Sequence, residues 1–285
     1  MREQLDRVLE PVPDVRADGD PEAVHRMRVA IRRLRTAIKL FGPHAADRLD
    51  ARRLEALGEA LRGLARALGR VRDEDVLART LRAAAAPGEL PAVERLLVRR
   101  EGARADARAA LLTALDGDEM VLLGGSFAHS LDLALAAEPK APPRAMVRRA
   151  GPRLIADALK KLRRSGRRLV APTSPALHRT RILAKRLRYA GEFLAPAFGP
   201  TLPTTVRTAQ GVQDALGALH DDDAALGVLL DAIAAGLEPD DAAALGCVAQ
   251  RLRVRRDDHL AAFDELWAAL PKPRKLRVRL EGEAR

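Results

Sequence analysis

The chain has 285 residues, of which 47% are hydrophobic, so it can bury a core without disulfides or metal ions. Its apolar residues are mostly Ala, Leu and Val, and only five Phe, one Trp and one Tyr are present, a composition that favours helices over strands. The 50 Lys and Arg residues outnumber the 39 Asp and Glu residues, and the net charge of +11 attracts polyanions rather than cationic ligands.

The sequence disfavours both a secreted disulfide-bonded protein and a membrane protein. The single cysteine, Cys247, cannot form an intramolecular disulfide, which suits a reducing compartment. Residues 1–6 do not resemble a signal peptide, and no stretch of about 18 apolar residues could span a membrane. We therefore expect a soluble cytoplasmic protein that does not contact membranes.

The first strong helical pattern begins at Asp20-Pro21, an N-cap followed by proline, and ends at Gly42, where we expect a left-handed glycine. Apolar residues spaced by three and four form one buried seam: Val24, Met27, Ile31, Leu34, Ile38 and Phe41. Basic residues follow the same spacing one position later, over about 21 Å of helix. This first ladder comprises His25, Arg28, Arg32, Arg35 and Lys39, with Arg33 beside it.

A second helical pattern covers residues 46–69 and leads into Leu68-Gly69, flanked by Arg66, Arg70 and Arg72. Asp73 and Asp75 follow this glycine. We expect them to cap the next helix or to pair with ladder arginines. The alternative is a Mg²⁺ site that bridges protein and phosphate, but the spacing alone is weak support for it.

Further helical patterns cover residues 90–116, 144–168, 202–219 and 240–270, and we find no convincing strand. The second of these regions, residues 144–168, is rich in basic residues and precedes Ser174-Pro175, where another capped helix begins. It supplies Lys160, Lys161 and Arg164. The helix that follows has the seam Leu177, Thr180, Ala184, Leu187, Gly191 and Leu194. Its ladder comprises His178, Arg181, Lys185 and Arg188, with Arg186 beside it.

These elements form an internal repeat. Residues 24–35 recur as residues 177–188, and residues 67–75 recur as residues 215–223, where Asp221 and Asp223 stand in the acidic positions. Two matches in the same order indicate a duplicated unit. Prolines within residues 138–143 interrupt any helix, so we place the boundary there and predict domains at 1–138 and 139–285.

A ladder of cations is unfavourable unless something compensates it, because like charges three or four residues apart cost roughly 0.2–0.5 kcal/mol per pair. A solvated helix face of unusual composition is the simpler interpretation of one ladder. Two matched copies favour an anionic ligand instead. His25 and His178 either contact that ligand or hydrogen-bond within the helical packing, and neither has a nucleophile or a metal-ligand spacing around it.

At these residues the sequence resembles the CHAD family, the conserved histidine α-helical domains. The motif His-x-x-Arg-x-x-x-(Arg/Lys)-Arg-Leu-Arg occurs twice, and Leu-Gly-x-x-x-Asp follows each copy. The resemblance implies an all-α fold of two four-helix bundles related by a pseudo-twofold, a basic central groove, and binding of inorganic polyphosphate. It also implies that the residues of both ladders, together with Arg33 and Arg186, line the groove. The flanking cations Arg66, Arg70, Arg72, Lys160, Lys161 and Arg164 would lie at its rim.

The chain departs from the family pattern at His220, which stands where the first copy has Arg72. The helix before the first repeat is also short, so the two halves are not expected to obey the pseudo-twofold symmetry closely. No triphosphate-tunnel (CYTH) domain precedes the module, so the family's usual reason to expect triphosphatase activity is missing.

We therefore predict a non-enzymatic protein that binds polyphosphate or another polyanion, with no cofactor and no resident metal, and with a role that includes association with polyphosphate granules. Two alternatives stay open at this point. One is a nucleic-acid-binding helical protein, although Tyr189 is the only aromatic residue near a ladder that could stack on bases. The other is a phosphohydrolase in which the Asp pairs hold Mg²⁺. The oligomeric state is not predicted.

Overall fold

The computed structural model describes residues 1–18, 20–45, 49–136, 143–166 and 174–283, and in these ranges the protein is predominantly helical with no β-strand. The absence of strands confirms the all-α prediction. In chain order the helices are α1 (Arg2–Leu9), α2 (Val12–Ala17), α3 (Pro21–Phe41), α4 (Ala51–Ala84), α5 (Leu90–Arg99), α6 (Glu101–Asp116), α7 (Asp118–Val121), α8 (Ala128–Ala136), α9 (Pro143–Gly166), α10 (Ser174–Leu194), α11 (Thr201–Ala234), α12 (Pro239–Ala269) and α13 (Pro273–Glu283).

The chain divides into two compact units. The first unit contains residues 1–79 and 94–138, and the second contains residues 80–93 and 139–285. The two units are not separated by a single boundary in the sequence, because residues 80–93, from the end of α4 to the start of α5, pack with the second unit. Most of the proline-containing segment at 138–143 lies outside the described residues.

In the first unit, α3 is the central helix. Four residues of its predicted seam, from Val24 to Leu34, are 2% exposed or less, whereas Ile38 and Phe41 at its end are half-buried. The seam joins a core to which α1, α4, α6 and α8 contribute, with Leu5, Leu61 and Leu111 fully buried. Burial of each such side chain contributes about 1.5–3 kcal/mol, so this seam determines which face of α3 is left for the cations.

In the second unit, α10 packs against α9 and α11, and α11 packs against α12. The predicted α10 seam is buried along its whole length, from Leu177 to Leu194. Thr180 is fully buried, and it satisfies its hydroxyl by donating to the carbonyl oxygen of Ala176, 3.0 Å away. Helix α13, which no sequence pattern indicated, packs against α9.

The start of α3 agrees with prediction, but its end does not. The Asp20 carboxylate caps the helix by accepting a hydrogen bond from the amide of Glu22 at 2.8 Å, and Pro21 is the first helical residue. Gly42 was expected to be left-handed, yet its φ is −52°. The prediction was wrong because the chain continues as a 3₁₀ turn (Gly42–His44), which needs no positive φ.

The helices predicted to stop near Gly69 and at residue 219 continue well beyond those points. Helices α4 and α11 each have 34 residues, and Gly69 and Gly217 lie in their interiors. A glycine inside a helix costs about 1 kcal/mol relative to alanine, which is why we interpreted these positions as helix ends. The helices tolerate the glycines because flanking leucines, among them Leu68 and Leu216, are buried.

None of the helices in the described ranges is long and apolar enough to cross a lipid bilayer.

Candidate functional site

The first cationic cluster lies on α3 and α4 and is centred on Arg28. The Arg28 side chain is 14% exposed, and its Nη1 donates to the carbonyl oxygen of Leu68 at 3.2 Å. The same nitrogen lies 3.6 Å from the carboxylate of Asp73, which is itself 77% exposed. Arg28 is next to Gly69, where an added Cβ would lie 3.3 Å from Nη1. The guanidinium therefore rests on the backbone of α4.

The pKa of His25 reflects the positive charges of this cluster. Its side chain is 43% exposed, and its Nε2 lies 3.9 Å from the carboxylate of Glu22. Partial burial lowers its pKa below 6.5; Glu22 acts in the opposite direction, and the charges of Arg72, Arg32 and Arg28 lower the pKa further. Three predicted site arginines from two helices are thus close enough to His25 to disfavour its protonation.

The other predicted residues of the first cluster differ in exposure. Arg33 is half-buried, and its Nε donates to Oε1 of the buried Gln4 at 3.0 Å, so part of its guanidinium has a structural role. Arg32, Arg35 and Arg72 are half-buried as well, whereas Lys39, Arg66 and Arg70 are exposed. The exposed residues lie at the edge of the cluster.

The second cationic cluster, on α10 and α11, is centred on Arg181. A Cβ on Gly217 would lie 3.5 Å from Nε and 3.7 Å from Nη2 of Arg181. The rings of His178 and His220 lie 5.8 Å apart. Arg188 is 16% exposed, and its Nε lies 3.5 Å from the Glu192 carboxylate. Lys185 is half-buried, and the exposed predicted residues are Lys160, Lys161, Arg164, His178 and Arg186.

The two clusters are built in the same way. In each unit the fourth residue of the His-x-x-Arg motif lies against the glycine of the Leu-Gly pair, as Arg28 does against Gly69 and Arg181 against Gly217. The motif histidine in each unit lies near the residue three positions after that glycine, which is Arg72 for His25 and His220 for His178. The sequence repeat is therefore also a repeat of local geometry.

The acidic residues that follow each glycine mainly connect helices. Asp75 pairs with Arg104 of α6 at 3.1 Å, and the neighbouring Glu74 accepts two hydrogen bonds from Arg100, at 2.6 and 3.1 Å. In the second unit, Asp223 pairs with Arg256 of α12 at 2.8 Å. The prediction that these residues cap a new helix was wrong, because they lie inside α4 and α11. Of the ladder arginines, Arg28 lies near Asp73, as the other interpretation anticipated.

Asp222 is the most buried of these carboxylates. It is 1% exposed and lies 3.0 Å from Arg255 and 3.2 Å from Nε2 of His259. Burial raises its pKa above the ordinary value, while Arg255 and His259 oppose this shift. In the described residues, no group of three or more His, Cys, Asp or Glu side chains has a geometry that could hold a metal ion.

Three residues of the clusters were missing from the predicted site: His220, Gly69 and Gly217. Alignment of the two copies of the repeat could have identified them, because each glycine stands at the same distance before the acidic residues of its copy. Sequence reasoning assigned the glycines to helix ends and therefore gave them no role at the site. Tyr189, the one aromatic residue considered for base stacking, is 3% exposed and lies in the core.

Comparisons with known proteins agree with this architecture. The sequence profile of the CHAD domain matches residues 1–230. The crystal structure of the CHAD domain from the plant Ricinus communis is 27% identical, with a TM-score of 0.69 over 94% of this chain and 89% of that one. PptA from Streptomyces chartreusis is 19% identical, with a TM-score of 0.65 over 94% of this chain and 96% of that one, and shares the fold. No curated protein matches the sequence significantly. Because the family profile covers most of the chain, the protein belongs to the CHAD domain family.

Proposed function

We propose that this protein binds inorganic polyphosphate without hydrolysing it, and that the ligand occupies the cationic clusters on α3/α4 and α10/α11. The observation that carries the proposal is the duplicated construction of the clusters, in which Arg28 and Arg181 lie at equivalent positions against Gly69 and Gly217. Membership of the CHAD family supports the same ligand, because the family resemblance implies polyphosphate binding. Association with polyphosphate granules would follow from this activity.

The mechanism we propose is electrostatic. Each guanidinium offers fork-shaped N–H donors that match phosphate oxygens, and a charge-assisted hydrogen bond is roughly twice as strong as a neutral one. Counterions bound to the polyphosphate are released as Lys and Arg replace them. Within its own cluster, Arg28 or Arg181 would contact the phosphates centrally, and an exposed residue such as Arg70 or Arg186 would contact them at the edge.

Two observations weigh against the alternatives. Single-stranded nucleic acids stack on exposed aromatic side chains, and Tyr189 is buried, so the second cluster offers no such platform there. A Mg²⁺-dependent hydrolase needs carboxylates free to bind the metal, whereas Asp75 and Asp223 are engaged by Arg104 and Arg256. Both alternatives are tested by the experiment below.

The test is a binding titration with size-defined polyphosphate, using the double variant Arg28→Glu with Arg181→Glu. We expect this variant to lose at least about a hundredfold in affinity, since two charge-assisted contacts of about 1.5 kcal/mol or more are replaced by repulsion. Far-UV circular dichroism checks that helicity is retained. A second variant, Arg70→Glu with Arg186→Glu, changes only exposed residues and guards against misfolding of the first.

The matched control is Arg99→Glu with Arg253→Glu, which makes the same change in net charge at exposed arginines outside the predicted site. If the control loses as much affinity as the cluster variants, binding is set by net charge and the proposed site is wrong.

DNA that displaces polyphosphate at equal phosphate concentration would favour the nucleic-acid alternative. Phosphate release that requires Mg²⁺ would favour the hydrolase.

A further inference from the structure

Two glycines in the interiors of long helices have cations as their neighbours. A Cβ on Gly69 would meet only Nη1 of Arg28 within 4 Å, and a Cβ on Gly217 would meet only Nε and Nη2 of Arg181. Among the other helix glycines in the described residues, Gly63 would place its Cβ 3.8 Å from a carboxylate oxygen of Glu119. The rest pack against apolar groups, as Gly211 does against Leu266, or have no neighbour within 4 Å, as for Gly58 and Gly227. A helix-packing role therefore does not account for Gly69 and Gly217.

We propose that Gly69 and Gly217 are positioning residues for polyphosphate binding: the missing side chain lets the guanidinium of Arg28 or Arg181 lie directly on the helix backbone, in the orientation that the anion requires. This inference rests on the proposed function and adds to it two determinants of affinity that do not themselves contact the ligand. Nothing in the composition or charge of these residues would assign them to an anion site.

The contacts of Arg28 give the physical reason. Its Nη1 reaches the carbonyl oxygen of Leu68, the residue before the glycine, at 3.2 Å. This carbonyl is inside α4, and a Cβ on the next residue would lie 3.3 Å from the same nitrogen of Arg28. The hydrogen bond restricts a side chain that would otherwise lose rotamer freedom on binding, so part of the ordering cost is met before the ligand arrives.

The distance from an added Cβ to the arginine differs between the two glycines, so the effects of substitution can be ranked. At Gly69 the added Cβ would be 3.3 Å from the guanidinium, closer than an ordinary contact, so Arg28 must move. At Gly217 the distance to Arg181 is 3.5 Å, an ordinary van der Waals contact. We therefore expect Gly69→Ala to weaken binding more than Gly217→Ala, and leucine to weaken binding strongly at both positions.

The experiment measures polyphosphate affinity and thermal stability on the same variants. Gly69→Ala should bind about threefold more weakly than the wild type, and Gly69→Leu and Gly217→Leu about tenfold more weakly or worse. The alanine variants should melt at the same or a higher temperature, because alanine favours a helix. Gly58→Ala and Gly227→Ala, in the same two helices, are the controls and should bind like the wild type.

A double-mutant cycle then tests whether the glycine acts through the arginine. In an Arg28→Ala background, Gly69→Ala should have no further effect on affinity, because the side chain that it displaces is gone. An equal loss in both backgrounds, or glycine variants that bind like the wild type while the cluster variants fail, would overturn the inference and leave the proposed function intact. A wild type that does not bind polyphosphate would overturn both.

Discussion

At the scale of single residues, the environment of each charged side chain decides its role more than its place in the ladder does. Arg28 and Arg33 are five residues apart on one helix, yet Arg28 rests on the backbone of α4 while Arg33 donates to the buried Gln4. His25 lies among Arg28, Arg32 and Arg72, and burial together with these cations keeps its pKa low. The charge of His25 should therefore respond to a bound anion.

This leads to a prediction for the pH dependence of binding. A bound polyphosphate opposes the field of the arginines and raises the pKa of His25, so affinity should increase as the pH falls from about 7.5 to about 5.5. His25→Gln should reduce this increase. Isothermal titration at several pH values measures the effect, and His129→Gln, at an exposed position of α8, is the control. An increase that is unchanged in His25→Gln would contradict this role.

The same pKa shift predicts the opposite trend for the stability of the unliganded protein. Because the folded-state pKa of His25 is below the unfolded value of 6.5, the unfolded chain binds the proton more readily. His25 therefore contributes a loss of stability as the pH falls through about 6.5, and none well above that value. Urea denaturation at pH 7.5 and 5.5 should show a smaller decrease for His25→Gln than for the wild type.

At the scale of the helices, the acidic segments after Gly69 and Gly217 hold neighbouring elements together. Glu74 and Asp75 connect α4 to Arg100 and Arg104 at the start of α6, and Asp222 and Asp223 connect α11 to α12. Sequence reasoning identified the acidic pairs but could not name their partners. The partners lie about 30 residues away in sequence, and periodicity describes only contacts along one helix.

The Glu74–Arg100 pair should contribute measurably to stability. Both side chains are less than a third exposed, and two hydrogen bonds join them, so we expect Glu74→Ala to lower the free energy of unfolding by about 1–3 kcal/mol. The exposed pair Glu3–Arg7 is the matched control, and Glu3→Ala should cost less than about 0.5 kcal/mol. Chemical denaturation measures both. Equal effects, or a loss of polyphosphate affinity in Glu74→Ala, would argue against a purely structural role.

At the scale of the whole molecule, the net charge of +11 and the two clusters should make the proposed polyphosphate binding sensitive to ionic strength. The logarithm of the affinity should fall linearly with the logarithm of the salt concentration, with a slope that reflects the number of cations engaged. The Arg28→Glu and Arg181→Glu variant should have a shallower slope than the wild type, whereas the Arg99→Glu and Arg253→Glu control should keep it. Affinity that does not change with salt would rule out the electrostatic mechanism.

Chain length gives a further prediction at this scale. A polyphosphate long enough to contact several cations of one cluster should bind more tightly than a short one, because each further contact becomes intramolecular. Affinity per molecule should therefore rise with chain length and then level off. The Arg28→Glu and Arg181→Glu variant, in which each cluster has lost its central arginine, should lose most of this rise. Titrations with short and long size-defined polyphosphates, compared at equal chain concentration, provide the measurement.

The sequence by itself determined the helical fold, the repeat and the faces of α3 and α10. These features follow from local rules: spacings of three and four residues place Val24, Met27 and Ile31 on one face and the ladder beside it, whatever the rest of the chain does. The Asp20 cap was predictable for the same reason.

Only the tertiary structure decided what Gly69, Gly217 and the acidic segments do. A glycine in a sequence favours a helix end, and the penalty of keeping it inside a helix is about 1 kcal/mol. Burial of the residues around it exceeds that penalty, so α4 and α11 continue through their glycines. The position next to each glycine is then filled by an arginine from another helix, a contact between residues about 40 positions apart that no local pattern encodes.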